Sequence, residues 1–138
     1  MTRFLDTNVL MYRISGEPGE QEKRAISIQA LASDDNVLSV QVLQEFYYQS
    51  TRASRQGAIT HQVAAGLVEA WGRFPTVAVT RDLMHRAMEL SQRRRWTYWD
   101  SAVVAAALQA GCDELWTEDM NHGQREGSLT IINPFRVL

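Results

Sequence analysis

Residues 98–117 read YWDSAVVAAALQAGCDELWT. From Tyr98 to Ala110 the run is almost wholly apolar after Asp100, so it predicts a helix buried on most sides. Gly111 is placed to stop it. Glu114-Leu115-Trp116-Thr117 then predicts a short strand. A helix apolar all round, next to a strand, belongs in a layer packed against a sheet.

The same alternation runs outward in both directions. Four further strands are predicted at Arg3-Phe4-Leu5, Val37–Val40, Thr76–Val79 and Leu129–Ile132. Between them lie helices predicted from a Ser15 cap to about Ala32, from Gln41 to Arg52, from a Thr60 cap to near Gly72, and from Thr80 to Arg94. Strands alternating with helices indicate right-handed crossovers and a parallel sheet. The 138 residues suit a single domain spanning 1–138, with no repeat or linker.

Composition narrows the function classes. Hydrophobic residues make up 45% and charged residues 22%, a folded rather than disordered profile. No apolar run is long enough to span a bilayer, and one cysteine, Cys112, precludes an internal disulfide. No apolar signal region precedes the first acid, so the expected location is cytoplasmic, with no membrane partner. The formal charge of -2 argues at first against nucleic acid. Thirteen of the 14 basic residues are Arg, and Lys23 is the single lysine.

Ligands of open parallel sheets bind beyond the carboxyl ends of the strands. That rule selects Asp6 after the first strand, and Thr117, Glu118 and Asp119 at the end of the fourth. Glu45 lies among apolar helix residues, and Asp100 begins the buried helix. An acid at the edge of an apolar core is disfavoured unless a cation or donor meets it. Helix caps and salt bridges account for such acids one at a time. As a cluster of hard oxygen ligands they suit Mg²⁺ or Mn²⁺.

Five segments carry a resemblance: Phe4–Leu10 (FLDTNVL), Ser39–Phe46 (SVQVLQEF), Tyr98–Ala102 (YWDSA), Leu115–Met120 (LWTEDM) and Ile131–Phe135 (IINPF). Their order and separation resemble the PIN domain, and in particular the VapC-type toxins of bacterial toxin–antitoxin pairs. The resemblance implies an α/β, three-layer fold with a central, mostly parallel five-stranded sheet. It implies a metal-dependent endoribonuclease, holding one or two Mg²⁺ or Mn²⁺ ions on Asp6, Glu45, Asp100 and Asp119. Thr7, Asn8 and Thr117 are then polar supports. Many relatives carry a further acid where this chain has Asn121, with Glu118 as a candidate to compensate. The resemblance further implies an antitoxin partner, often one whose tail places an Arg near the acids, and a homodimer. Tyr47, Tyr48, Trp71 and Phe74 are candidates for partner surface or core.

The expected RNA grip is Arg93-Arg94-Arg95 with Trp96, because Arg beside an aromatic suits single-stranded RNA. Arg52 and Arg55 are secondary candidates, and His122 is a loop histidine or a substrate contact. Competing chemistries fail on single residues. A phosphorelay receiver needs a lysine near the last strands, and Lys23 lies early. A haloacid-dehalogenase-type phosphatase wants an acid at Asn8. A dinucleotide fold wants glycines after the first strand. A catalytically silent PIN-like module that binds RNA or protein, and a housekeeping RNA-processing nuclease, remain open. Setting the four proposed ligands aside leaves 12 acids against 14 basic residues. The negative total thus conceals a mildly basic body.

Overall fold

A computed structural model describes residues 1–136. Its strands are β1 (Arg3–Leu5), β2 (Asn36–Ser39), β3 (Thr76–Val77), β4 (Glu114–Trp116), β5 (Arg125–Glu126) and β6 (Leu129–Ile132). Its helices are α1 (Thr7–Tyr12), α2 (Gln21–Leu31), α3 (Val40–Thr51), α4 (His61–Trp71), α5 (Arg81–Arg94) and α6 (Tyr98–Gln109). The sheet order is β3-β2-β1-β4-β6-β5, and every pairing is parallel except β5 with β6.

The sheet therefore has six strands rather than the expected five. The extra one, β5, is a two-residue Arg-Glu edge that pairs antiparallel to β6 across Gly127, whose φ is +58°. A two-residue strand with no apolar alternation gives no periodic signal. The third expected strand is also shorter, ending at Val77 rather than Val79.

Burial explains the middle of the sheet. Phe4, Leu5, Leu38 and Leu115 have no exposed surface, as expected for parallel strands covered on both faces. Val104 and Ala107 of α6 are equally buried, and α6 packs along α5. Trp71 and Phe74 join this core, whereas Tyr47 and Tyr48 stay on the surface. Cys112 is buried, and burial pushes its thiol up to about 11, which keeps it unreactive.

Local chemistry sets the helix boundaries. Thr60 and Thr80 cap α4 and α5 through their side chains, as the sequence predicts. Gly111, at φ +70°, follows α6. Two starts differ. Ser15 does not cap α2; its hydroxyl donates to Glu20 Oε1 at 2.6 Å and accepts from the Glu17 N–H, shaping the turn before a short 3-10 segment at Pro18–Glu20. In α3 the cap is Ser39, which accepts from the Val42 N–H at 3.2 Å, so Val40 is helical rather than the end of a strand. Helix α1, six residues long with β-branched Thr7 and Val9, is too short to carry a periodic signal.

The chain runs from β1 outward to β2 and β3, then returns to place β4 on the other side of β1. The β1/β4 boundary is thus the point where strand order reverses, and the crevice beyond the strands' carboxyl ends opens there.

Because the Ser39 cap seats the helix that carries Glu45, Ser39→Ala should lower the unfolding free energy by about 1 kcal/mol. Urea denaturation checks this, with an unchanged m-value expected.

Candidate functional site

Asp6 leaves β1 and becomes the N-cap of α1. Its Oδ1 accepts from the Thr7 N–H at 2.7 Å, and its Oδ2 accepts from the Thr117 hydroxyl at 2.8 Å. Its backbone N–H donates to the Trp116 carbonyl, tying the ends of β1 and β4 together. The Thr117 hydroxyl in turn accepts from Asn8 Nδ2 at 3.2 Å and from the Asp119 N–H at 3.1 Å. Asn8 Nδ2 also donates to Asp119 Oδ2 at 3.1 Å. One threonine hydroxyl thereby links the Asp6 carboxylate beyond β1 to the Asp119 backbone beyond β4 and to Asn8, which holds the Asp119 carboxylate.

Glu45 comes in from α3. Its Oε2 accepts from the Thr7 hydroxyl at 2.8 Å and its Oε1 from Gln41 Nε2 at 3.1 Å. Thr7 therefore serves Asp6 with its backbone and Glu45 with its side chain. Asp100 sits in the first turn of α6, where its N–H donates to the Thr97 hydroxyl at the cap.

Asp6, Glu45, Asp100 and Asp119 all line one open cavity of about 370 Å³, together with Thr7, Asn8 and Glu118. Thr117 lies behind it, fully buried. Gln41, Arg55 and Trp99 complete much of the wall, and only Arg55 among them was weighed from sequence. Gln41 lies one helical turn before Glu45 and Trp99 directly precedes Asp100, so nearness to those acids in the chain is the signal that points to them. Glu118 is not idle in that wall. Its carboxylate pairs with Lys23 Nζ at 3.2 Å and accepts from the Tyr12 hydroxyl.

Other expected residues lie outside the cavity wall. Asn121 is exposed, and its carbonyl accepts from the Gln124 N–H. His122 Nδ1 accepts from the Asn133 N–H at 3.0 Å. Arg93 and Arg94 both pair with Glu126, at 2.9 and 2.7 Å, and Arg94 stacks over Trp96 at 4.4 Å. The Arg93 guanidinium foremost holds the Glu126 carboxyl below the ordinary carboxylate range. Arg95 is exposed, at φ 57°, and ends α5.

The electrostatics single out Asp6. It is 6% exposed, and burial pushes its carboxyl up to about 7, with Asp119 and Glu45 adding repulsion that the Thr117 and Thr7 hydrogen bonds offset in part. Asp100 is also raised, first by desolvation and then by the same two neighbours. Asp6 and Asp100 therefore both feel Asp119 and Glu45, the mark of an anionic cluster.

The donor set fits a hard cation. Four carboxylates supply oxygen ligands, and Asn8 Oδ1 is a buried oxygen with no hydrogen-bond partner among the described residues. No three His, Cys, Asp or Glu side chains among the described residues converge on one point. Mg²⁺ needs no such group, because it takes one or two carboxylates and fills its remaining positions with water or phosphate oxygens.

The PIN-domain family model matches residues 3–126. This chain belongs to the PIN-domain family. Solved structures with the same fold include a toxin–antitoxin complex from Klebsiella pneumoniae, at 18% identity and TM-score 0.72, covering 99% of this chain and 100% of that one. VapC20 from Mycobacterium tuberculosis, a sarcin–ricin loop cleaving toxin, is 20% identical with TM-score 0.64, covering 86% and 92%. VapBC2 from Rickettsia felis, bound to a promoter DNA fragment, is 17% identical with TM-score 0.62, covering 95% and 97%. A search of curated proteins by sequence returns no match. As in other PIN domains, the sheet here is mostly parallel and flanked by helices.

The raised Asp6 carboxyl has a definite sign. Its folded value, about 7, exceeds the ordinary 3.8, so the folded state binds the proton more tightly. Without added cations, its contribution to stability is lost as pH rises from about 4 to 7. Asp6→Asn removes that dependence. Thermal melts in EDTA should show Asp6→Asn more stable than the parent at pH 7.5, with the gain shrinking toward pH 4.

Proposed function

We propose that this PIN domain is a metal-dependent endoribonuclease that cleaves RNA phosphodiester bonds, acting as the toxin of a toxin–antitoxin pair. The observation that carries the reading is the meeting of Asp6, Glu45, Asp100 and Asp119 in one open cavity. They arrive from β1, α3, α6 and the segment after β4, at the point where strand order reverses. Family membership supports nuclease chemistry. The toxin–antitoxin complexes among the structures of like fold support an antitoxin partner.

Mg²⁺ or Mn²⁺, held by these carboxylates with water and phosphate oxygens, would supply Lewis-acid polarisation and offset charge in the transition state. The protein's own groups prepare for that. Thr7 and Thr117 fix both oxygens of Asp6, so its carboxylate is oriented before any substrate arrives. Asn8 orients Asp119, and Gln41 with Thr7 orients Glu45. Arg55 on the α3–α4 connection brings a guanidinium to the wall of the cavity, where a phosphodiester oxygen would meet it. An anionic, open cavity likewise suits insertion of a cationic side chain from an inhibitory partner. Tyr47 and Tyr48 on α3 are exposed aromatics available to a partner or second copy.

Purified protein should cleave single-stranded RNA with Mg²⁺ or Mn²⁺ and stop when EDTA is added. Asp100→Asn should lower the rate by roughly 100-fold or more while circular dichroism stays unchanged. Full cleavage by that folded variant would remove the assignment, and RNA binding without any cleavage would instead identify a silent module. In addition, Mg²⁺ should raise the melting temperature of the parent and leave that of Asp6→Asn nearly unmoved.

A further inference from the structure

Trp99 is 64% exposed, the most exposed aromatic side chain among the described residues apart from Tyr48. It directly precedes Asp100 in the first turn of α6. A solvated indole at such a position gains little from burial, and a large exposed apolar group is informative where an exposed small one is not. Tyr98 meets it edge to face, with centroids 5.0 Å apart at 81°, which steadies the ring.

Two cavities adjoin at this residue. Trp99 and Gln41 line the carboxylate cavity, and both also line a second one of about 230 Å³. The second is walled by Tyr98, Leu83, Met84, Val79 and Ala102, with the side-chain amides of Gln41 and Gln44 among them. It is a mostly apolar slot with two glutamines in its wall, and it shares Gln41 and Trp99 with the cavity where a phosphodiester would react. Gln41 Nε2 already donates to Glu45, but a purely apolar protein segment would leave the Gln41 amide oxygen and the Gln44 amide with nothing to bond. A nucleobase offers a flat face for the indole and polar edges for the amides.

Resting on the ribonuclease reading, we propose that Trp99 with Gln41 and Gln44 forms a nucleobase subsite, on which one unpaired base next to the scissile phosphate stacks. The subsite selects single-stranded over paired RNA, because a base within a duplex is stacked on its neighbours and cannot enter. It also moves the aromatic part of the RNA grip from Trp96, which Arg94 covers, to Trp99.

The test measures binding rather than cleavage, in the folded, slowly cleaving Asp100→Asn protein with Mg²⁺. The probes are a short single-stranded oligoribonucleotide and a series carrying one abasic nucleotide at each position in turn. Trp99→Ala should weaken binding of the intact RNA by about 5- to 150-fold, and Trp99→Phe should retain most of it. One abasic position should weaken the Trp99 protein by a similar factor and leave Trp99→Ala unaffected. Equal affinity of Trp99→Ala for intact RNA overturns the subsite, and so does an abasic loss of the same size in both proteins. If Trp99→Ala instead converts a dimer to monomers in sedimentation while abasic discrimination persists, the face belongs to a second copy and the subsite is overturned. Absence of any RNA binding by the Trp99 protein removes the ribonuclease reading itself, an outcome distinct from the others.

Discussion

A carboxylate buried at the end of a parallel strand is the constraint around which this molecule is arranged. Among the described residues, two hydrogen bonds reach the Asp6 carboxylate, from the Thr7 N–H and the Thr117 hydroxyl. Those two bonds hold it against desolvation and against Asp119 and Glu45. They also do architectural service. Thr7 is the first residue of α1, and Thr117 the first after β4. The same contacts that make the carboxylate tolerable lock β1 to β4 and start the helix that leads away from the site. Function and fold are coupled here at one side chain.

The distribution of charge follows from this. The molecule gathers acids on one side and ties several of its scarce cations to other acids. Lys23 is held by Glu118 and stacks on Tyr12, which reinforces one wall of the cavity. Arg93 and Arg94 share Glu126, and Arg73 pairs with Asp34. Among the basic residues weighed for RNA from sequence, Arg55 is the one that lines the carboxylate cavity. A net charge of -2 is therefore a poor guide to what this surface attracts. Local arrangement decides it.

Features with a local physical cause were legible in the sequence. Thr60, Thr80 and Gly111 mark helix ends because a side-chain acceptor or a left-handed residue is needed there whatever the rest of the protein does. The apolar α6 announced its burial, and the acids after β1 and β4 followed from the rule for parallel sheets. Features decided by distant partners were not legible. Helix α1 is too short for periodicity and depends on burial of Val9 and Leu10. Ser15 has the chemistry of a cap but is drawn to Glu20 by the turn at Pro18. Arg93 and Arg94 looked free for RNA because Glu126, more than thirty residues away in the chain, gives no sign of meeting them. That Gln41 and Trp99 line one cavity is set by the fold, which brings α3 and the start of α6 to the same place.

The two ends of the sheet share a property with a different kind of consequence. Both edge strands, β3 and β5, are only two residues long. A long open edge is a template for another chain's backbone, and short edges are among the ways proteins avoid such growth. Here the edges are nearly absent, while Phe4, Leu5, Leu38 and Leu115 of the central strands are fully buried. Intermolecular strand addition, the first step toward fibrils, finds almost no backbone to copy. Colloidal behaviour at high concentration is then governed by side-chain surfaces rather than by the sheet.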